Sequence, residues 1–296
     1  MTAPSRFIRP RGRAARRPQL LGAVGLLVAA LVAGVAMLGP WSGGSASARD
    51  PLTFRIATFN VLGDVHTMPG AHDDGYAPAR IRAEWMADVL DQIGSPSIVG
   101  MQELDDSQLQ AVLRATGGQY AAYPGPAIRN GIQASMMWRT DTWKAVERRT
   151  ITIPFIRFQR AQPVVRLRNL ATGREIWVMN VHNAPRDYQG QRDTAVAKEI
   201  ATIKELGADG TPVFLVGDMN EKERVFCKVL TKTDLTSPMG GGVNANGACQ
   251  VPSGRLRIDW IFGGPNAAWS DYRMDLSPLK RWVNDHGVPV TTVTLP

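Results

Sequence analysis

The sequence predicts a mixed α/β (α+β) protein in which short buried strands alternate with amphipathic helices. Two stripes at helical spacing, Ile81, Trp85, Val89 and Ile93, then Val196, Ile200 and Ile203, mark helices that pack one face on a sheet. Two apolar runs, Ser97–Met101 and Val213–Val216, have the length and β-branched content of buried strands. Between them, Tyr120 to Leu170 is rich in β-branched and aromatic residues. The 296 residues, 44% of them hydrophobic, suffice for one large domain with an appendage.

The appendage is the N-terminus, residues 1–48, and the domain is residues 49–296. Arg6, Arg9, Arg11, Arg13, Arg16 and Arg17 precede nineteen uncharged residues, Leu20–Leu38, and then the small-residue stretch Ser42–Ala48. A helix of that length spans about 28 Å, close to a hydrocarbon core. The same pattern, closed by Ala46-Ser47-Ala48, describes a secretory signal peptide. Membrane anchor and cleaved signal both stand, and in either case residues 49 onward are expected outside the cytoplasm. Removing those six charges from the net +8 leaves the domain at +2, so its charge does not announce a nucleic-acid binder. Cys227 and Cys249, the two cysteines, are expected to form a disulfide in the exported portion.

In chain order, Thr53–Asn60 is β-prone and ends on an amide. Gly63–Pro78 reads as a long loop carrying His66, His72, Asp73 and Asp74, whose spacing fits no standard metal site but whose length suits the border of a cleft. The helix Arg80–Ile93 leads to Ser97–Met101, which runs into Gln102-Glu103 and so places a carboxylate, a candidate hard-metal ligand, at a strand end. Leu109, Val112 and Leu113 mark a short helix. Strands follow at 132–138, 143–153 and 163–170, and Ala171–Arg174 turns the last of these into Glu175–His182. That strand presents Asn180 and His182 on one face, and Arg160 lies within reach of the same region. After the helix Gln189–Leu206, the run Val213–Val216 delivers Asp218 and Asn220, an anionic oxygen and a neutral amide suited to a metal and phosphate site. Leu256–Phe262 alternates apolar residues with Arg257 and Asp259, and an inward Asp259 needs a partner. Asn284-Asp285-His286-Gly287 then forms a turn before a last strand, Val288–Val293.

Phe59-Asn60, Gln102-Glu103, Asn180-Val181-His182, Gly217-Asp218-Met219-Asn220, Arg257-Ile258-Asp259-Trp260-Ile261 and Asp285-His286, taken in order, resemble the endonuclease/exonuclease/phosphatase superfamily. That group contains deoxyribonuclease I, apurinic endonucleases, neutral sphingomyelinases and inositol-phosphate phosphatases. The resemblance covers nearly all of residues 53–296, with Asn284 standing where the family commonly has serine. It implies a deoxyribonuclease I-like four-layer sandwich of two mostly antiparallel sheets flanked by helices. It also implies a divalent cation, Mg²⁺ with Mn²⁺ or Ca²⁺ as alternatives, held by Glu103, Asn60 and Asp285. By the same resemblance Asp259 orients His286, and either His286 or Asp218 receives the proton of the attacking water. The resemblance further implies that Asn220 and His182 contact the phosphoryl oxygens, with His182 also a candidate to protonate the leaving alkoxide, and Arg160 and Asn180 are candidate phosphate-binding residues.

The function expected from this set is exported phosphoester hydrolysis, first of all by an endonuclease acting on extracellular nucleic acid. A phosphodiesterase or phosphatase for a small or lipid ester, sphingomyelin among them, is the alternative, favoured by the near-neutral domain. A non-catalytic surface module is disfavoured by the complete set of expected catalytic residues. No obligate protein partner is expected, and the membrane is a partner only if the N-terminal segment is retained.

Overall fold

The structure, a computed structural model, describes residues 50–126 and 134–296. The expected anchor or signal, Leu20–Leu38, lies outside the described residues, and so do residues 132 and 133 of the expected strand 132–138. Among the described residues no helix is long and apolar enough to cross a membrane. They begin with strand β1 (Leu52–Asn60), helices α1 (Asp64–Thr67) and α2 (Ala79–Gln92), β2 (Ile98–Gln102), α3 (Asp106–Ala115), β3 (Tyr120–Tyr123) and β4 (Ala134–Arg139). The long hairpin β5 (Trp143–Phe155) and β6 (Phe158–Asn169) follows, then β7 (Glu175–His182), α4 (Gln189–Leu206), β8 (Val213–Asp218) and α5 (Glu223–Lys232). The chain closes with β9 (Gly242–Val243), β10 (Cys249–Gln250), β11 (Asp259–Gly263), β12 (Ala268–Asp275), α6 (Ser277–Lys280) and β13 (Val288–Leu295).

Two sheets face each other. The first has the order β12-β13-β1-β2-β4-β3 and the second β11-β8-β7-β6-β5. Each contains one parallel pair, β1 with β2 and β7 with β8, and its other pairs are antiparallel. The alternation of buried side chains along these strands divides the core into three. Phe54, Ile56, Ile98, Trp138, Val178, Phe214 and Ile261 pack between the sheets. Phe59, Met101, Met86, Val89 and Leu90 join the first sheet to α2 and α3, and Met179, Leu215, Ile200, Ile203 and Phe226 join the second to α4 and α5. This is the expected four-layer sandwich. The disulfide Cys227–Cys249 also forms, tying α5 to β10.

Helix α2 buries a different face from the one the stripe suggests. Ala79, Arg82, Ala83, Met86, Val89 and Leu90 are buried, whereas Ile81 and Trp85 stay partly exposed. The face is rotated because a guanidinium occupies its centre. Arg82 is 0% exposed. Its five N–H groups meet five acceptors: Ala77 O at 2.8 Å, Val61 O at 2.8 Å, Val283 O at 3.1 Å, Leu62 O at 2.7 Å and Thr67 Oγ1 at 3.1 Å. Two of those carbonyls directly follow Asn60, and a third lies two residues before Asp285. Arg82→Met, which leaves these acceptors buried without donors, is expected to lower stability by at least about 3 kcal/mol. Urea unfolding of the variant checks this, and an unchanged midpoint contradicts it.

Candidate active site

The strand register assembles the site. In the second sheet His182 pairs with Asp218 across β7 and β8, and Asp218 pairs with Asp259 across β8 and β11. Three neighbouring strands thus present an imidazole and two carboxylates in one row. In the first sheet Asn60 pairs with Gln102, so Asn60 and Glu103 emerge side by side at the same edge. Two glycines permit the close packing beneath. A Cβ on Gly217, whose φ is 145°, would lie 2.0 Å from Val181 O, and one on Gly100 would lie 2.6 Å from Val216 Cγ2. Glu103 and Asn220 both hold left-handed backbone, with φ of 56° and 48°, which side chains other than glycine adopt at a cost.

The side chains converge. Asn60 Nδ2 donates to Glu103 Oε1 at 3.1 Å and to Asp218 Oδ2 at 3.0 Å, while its Oδ1 accepts from Leu62 N at 3.2 Å. Gly63 N donates to Glu103 Oε2. His286 Nδ1 is clamped between Asp259 Oδ1 at 3.1 Å and Oδ2 at 2.9 Å, and its Nε2 lies 3.8 Å from Asp218 Oδ2. The partner that Asp259 required is therefore His286. His182 Nε2 lies 3.7 Å from Asp218 Oδ2 and 3.9 Å from Glu103 Oε1. Asn220 N donates to Asp218 Oδ1 at 2.8 Å, and Asn220 Nδ2 donates to Asn183 O at 2.9 Å. Asn284, in the place of the usual serine, donates from Nδ2 to Asn60 O and so ties the Asp285-His286 turn to β1. These groups open into a cavity of about 660 Å³ whose lining includes Glu103, Arg160, His182, Asp218, Asn220, Asp285 and His286. A second cavity, of about 590 Å³, lies at the other end of β8 by Thr211–Val213 and is lined by none of these residues.

Electrostatics divide the imidazoles. Burial works against the charge of His286, but Asp259, Asp218 and Asp285 outweigh it and raise its pKa to about 10. Burial wins at His182, only partly offset by Glu103, and lowers it to about 3. Asp218 is pushed up by burial and then by the Asp259 carboxylate. Asp285 is also raised, first by burial, with Glu103 adding to it. Glu103 goes the other way: burial opposes ionisation, but His182, His66, the Asn60 amide and Gly63 N together hold it below the usual range. Among the described residues, Asp218, Asp259 and His286 form a group whose donor atoms lie within 4.8 Å of one another, a set that could hold a metal ion.

Behind the row, Glu199 on α4 is 0% exposed, and its Oε2 accepts from Asn183 Nδ2 at 3.5 Å. Burial raises Glu199 to about 8. The folded chain therefore keeps a proton that the unfolded chain loses above about 4.5, so stability falls as pH rises from about 4.5 to 8. Glu199→Gln, which cannot ionise, is expected to gain over the native chain across that window, on the order of 5 °C in melting temperature at pH 8. Thermal unfolding against pH measures it, and a gap that does not widen with pH contradicts it.

Two expectations change. Asn180 does not reach the cavity. It lies fully buried between the sheets, where Nδ2 donates to Met101 O at 2.9 Å and Ser135 O at 3.1 Å and Oδ1 accepts from Gln102 Nε2 at 2.5 Å. With its amide committed to stitching one sheet to the other, it has no group left for phosphate. Asn60 is present, but it meets the carboxylates through nitrogen rather than offering its oxygen. His66, expected only in a loop, stands on α1 with Nε2 3.2 Å from Glu103 Oε2, and His72 and Asp73 also line the cavity. The signal for them was the length of the loop, not any ligand spacing. Phe155 and Phe158, beside Arg160, carried no signal at all.

The model of the endonuclease/exonuclease/phosphatase family matches residues 57–272. No curated protein matches the chain significantly. Among solved structures, an endonuclease/exonuclease/phosphatase family protein from Bacteroides thetaiotaomicron is 16% identical, with 84% of this chain and 97% of that one covered at a TM-score of 0.64. A mannosyl-6-phosphatase from Bacteroides thetaiotaomicron VPI-5482 is 17% identical, with 81% and 99% covered at 0.61. The human Nocturnin catalytic domain with bound sulfate is 16% identical, with 83% and 97% covered at 0.61. At these identities the structural likeness is one of fold, and the family match rests on the sequence. The chain belongs to the endonuclease/exonuclease/phosphatase family.

Proposed function

We propose that the chain is an exported, divalent-cation-dependent phosphoester hydrolase whose first substrate class is the phosphodiester backbone of nucleic acid. The observation that carries the reading is His286, held from behind by Asp259, lining one cavity with Asp218 and Glu103. The donor set fits a hard cation: carboxylate oxygens predominate, and the burial and crowding that raise Asp218 and Asp285 are relieved by positive charge. Mg²⁺, with Mn²⁺ or Ca²⁺ as alternatives, would be held by Glu103 and Asp285 and would stabilise charge on the phosphoryl and leaving oxygens. Asn60 keeps Glu103 and Asp218 in place through its bridging Nδ2.

The remaining steps fall to side chains. His286, charged at neutral pH, donates to the phosphoryl group from Nε2 while Asp259 holds Nδ1. A charged imidazole is a poor proton acceptor, so Asp218, made more basic by its surroundings, receives the proton of the attacking water. His182 and the Asn220 amide, both lining the cavity, are neutral donors to the phosphoryl oxygens. The disulfide suits an oxidising compartment and supports export.

For nucleic acid speak exposed cations on the segments that border the cavity or lead into the site strands: Arg157, Arg186, Lys222 and Arg255. A second reading, a small or lipid phosphate ester, is favoured by apolar side chains at the cavity, where Val65 and Phe158 are each half exposed and Tyr188 stands beside them. Assay of the purified protein with Mg²⁺ against plasmid DNA, RNA, sphingomyelin and a generic phosphodiester separates the two. The first reading expects nucleic acid to be cut fastest, and faster turnover of sphingomyelin replaces it with the second.

A further inference from the structure

Arg160 reaches the site in a way that a phosphate anchor does not require. It sits on β6, buried, opposite Ile153 on β5. Its guanidinium carbon lies 3.4 Å from the centroid of the Phe155 ring and 5.6 Å from that of Phe158. Phe155 in turn meets the His182 ring edge to face, at 5.3 Å and 70°. Within this stack, Arg160 Nη1 lies 2.9 Å from His182 Nδ1.

The chemistry of the two groups fixes the direction of that bond. A guanidinium has donors only, and although burial lowers Arg160 to about 10 it stays charged at neutral pH. His182 Nδ1 must therefore accept. A proton on Nδ1 would set donor against donor at 2.9 Å between two buried side chains. The neutral ring then has one place for its proton, Nε2, the atom 3.7 Å from Asp218 Oδ2 and 3.9 Å from Glu103 Oε1. The main chain holds the ring's position independently: His182 N donates to Gln162 Oε1 at 3.0 Å, and Gln162 Nε2 donates to His182 O at 3.4 Å. Backbone bonds fix where the ring is but not which nitrogen carries hydrogen.

We propose that Arg160 is a positioning residue that sets the tautomer of His182, holding Nδ1 as an acceptor so that Nε2–H is the hydrogen offered to the substrate between Asp218 and Glu103. A tautomer set by the bond at the far nitrogen is a general means of presenting a histidine. The kinetic consequence rests on the phosphoester-hydrolase reading above, whereas the tautomer does not. A wrong tautomer turns the neutral donor into an acceptor facing phosphoryl oxygens, which costs the chemical step rather than ground-state binding.

The test is long-range proton–nitrogen NMR on full-length protein with labelled histidine at pH 7, with and without Mg²⁺. His182→Gln assigns the resonances. The native protein is expected to show His182 with a pyridine-type Nδ1 and a protonated Nε2. Arg160→Met is expected to lose that exclusive state while the His286 signals persist as a control for folding. Arg160→Lys, which keeps a donor, is expected to restore it. With the best substrate of the assay panel, Arg160→Met should lower kcat at least about tenfold with KM changed by less than about threefold. A proton on Nδ1 in the native protein overturns the proposal, with no variant needed. An unchanged tautomer in Arg160→Met, or a raised KM with kcat intact, overturns it in favour of a plain phosphate anchor. Absence of turnover on every ester would count against the hydrolase reading alone, since the NMR result decides the tautomer by itself.

Discussion

His286→Ala and Asp218→Ala are each expected to lower phosphodiester hydrolysis at least about a hundredfold while the protein stays folded, the scale on which acid-base catalysis is lost. The two should fail differently. Asp218 is raised by burial and by Asp259, and it stands 3.8 Å from His286 Nε2. Removing it takes away the proposed proton acceptor, and Asp218→Asn, which keeps the shape, should be equally inactive. Removing His286 takes away a cation that three carboxylates sustain, and Asp259 is left buried without its partner. That second loss should also cost stability, because an unpaired buried carboxylate is expensive. Steady-state kinetics and thermal unfolding of the same preparations separate the effects. Full activity in either alanine variant defeats the assignment.

The second large effect is expected at Glu103. Glu103→Gln should reduce turnover at saturating Mg²⁺ by at least about a hundredfold and raise the Mg²⁺ concentration needed for half-activation. The reason is local. The Asn60 amide and Gly63 N donate to Glu103 and favour its ionised form, although burial opposes the charge. An amide of the same shape keeps the packing but loses the charge and turns one acceptor into a donor. Activity titrated against Mg²⁺ measures both changes, and an unaltered half-activation concentration contradicts Glu103 as the cation's main carboxylate.

Much of this was legible in the sequence because the site is built from strand ends. A short apolar run followed by a polar residue marks where a buried strand surfaces, and Asn60, Glu103, His182 and Asp218 all stand at such points. Strand order was not legible, since pairing of β1 with β13 or of β8 with β11 depends on contacts remote in sequence. Asn180 shows the limit of the face argument. It does share a face with His182, but two residues deeper, where the opposing sheet replaces solvent and Gln102, Met101 and Ser135 take its amide. Arg82 was hidden for the opposite reason, since a charged residue inside a helical stripe reads as its edge until five acceptors are seen around it. Strand β12 was not legible because it is an edge strand with no fully buried residue and a largely polar sequence, so it lacks a buried-face pattern. Helix α5 does carry a helical stripe in the sequence, Val225, Phe226, Val229 and Leu230, all buried.

A charged His286, a neutral His182 and crowded carboxylates in one pocket suit the proposed cation and phosphoryl group. The most direct measurement of that is steady-state hydrolysis of a generic phosphodiester by the purified native protein, with Mg²⁺, after excess EDTA, and after Mg²⁺ is restored. The account predicts saturable turnover that EDTA abolishes and Mg²⁺ recovers. Turnover undiminished by EDTA, or no hydrolysis of this or any other phosphate ester under either condition, would contradict it.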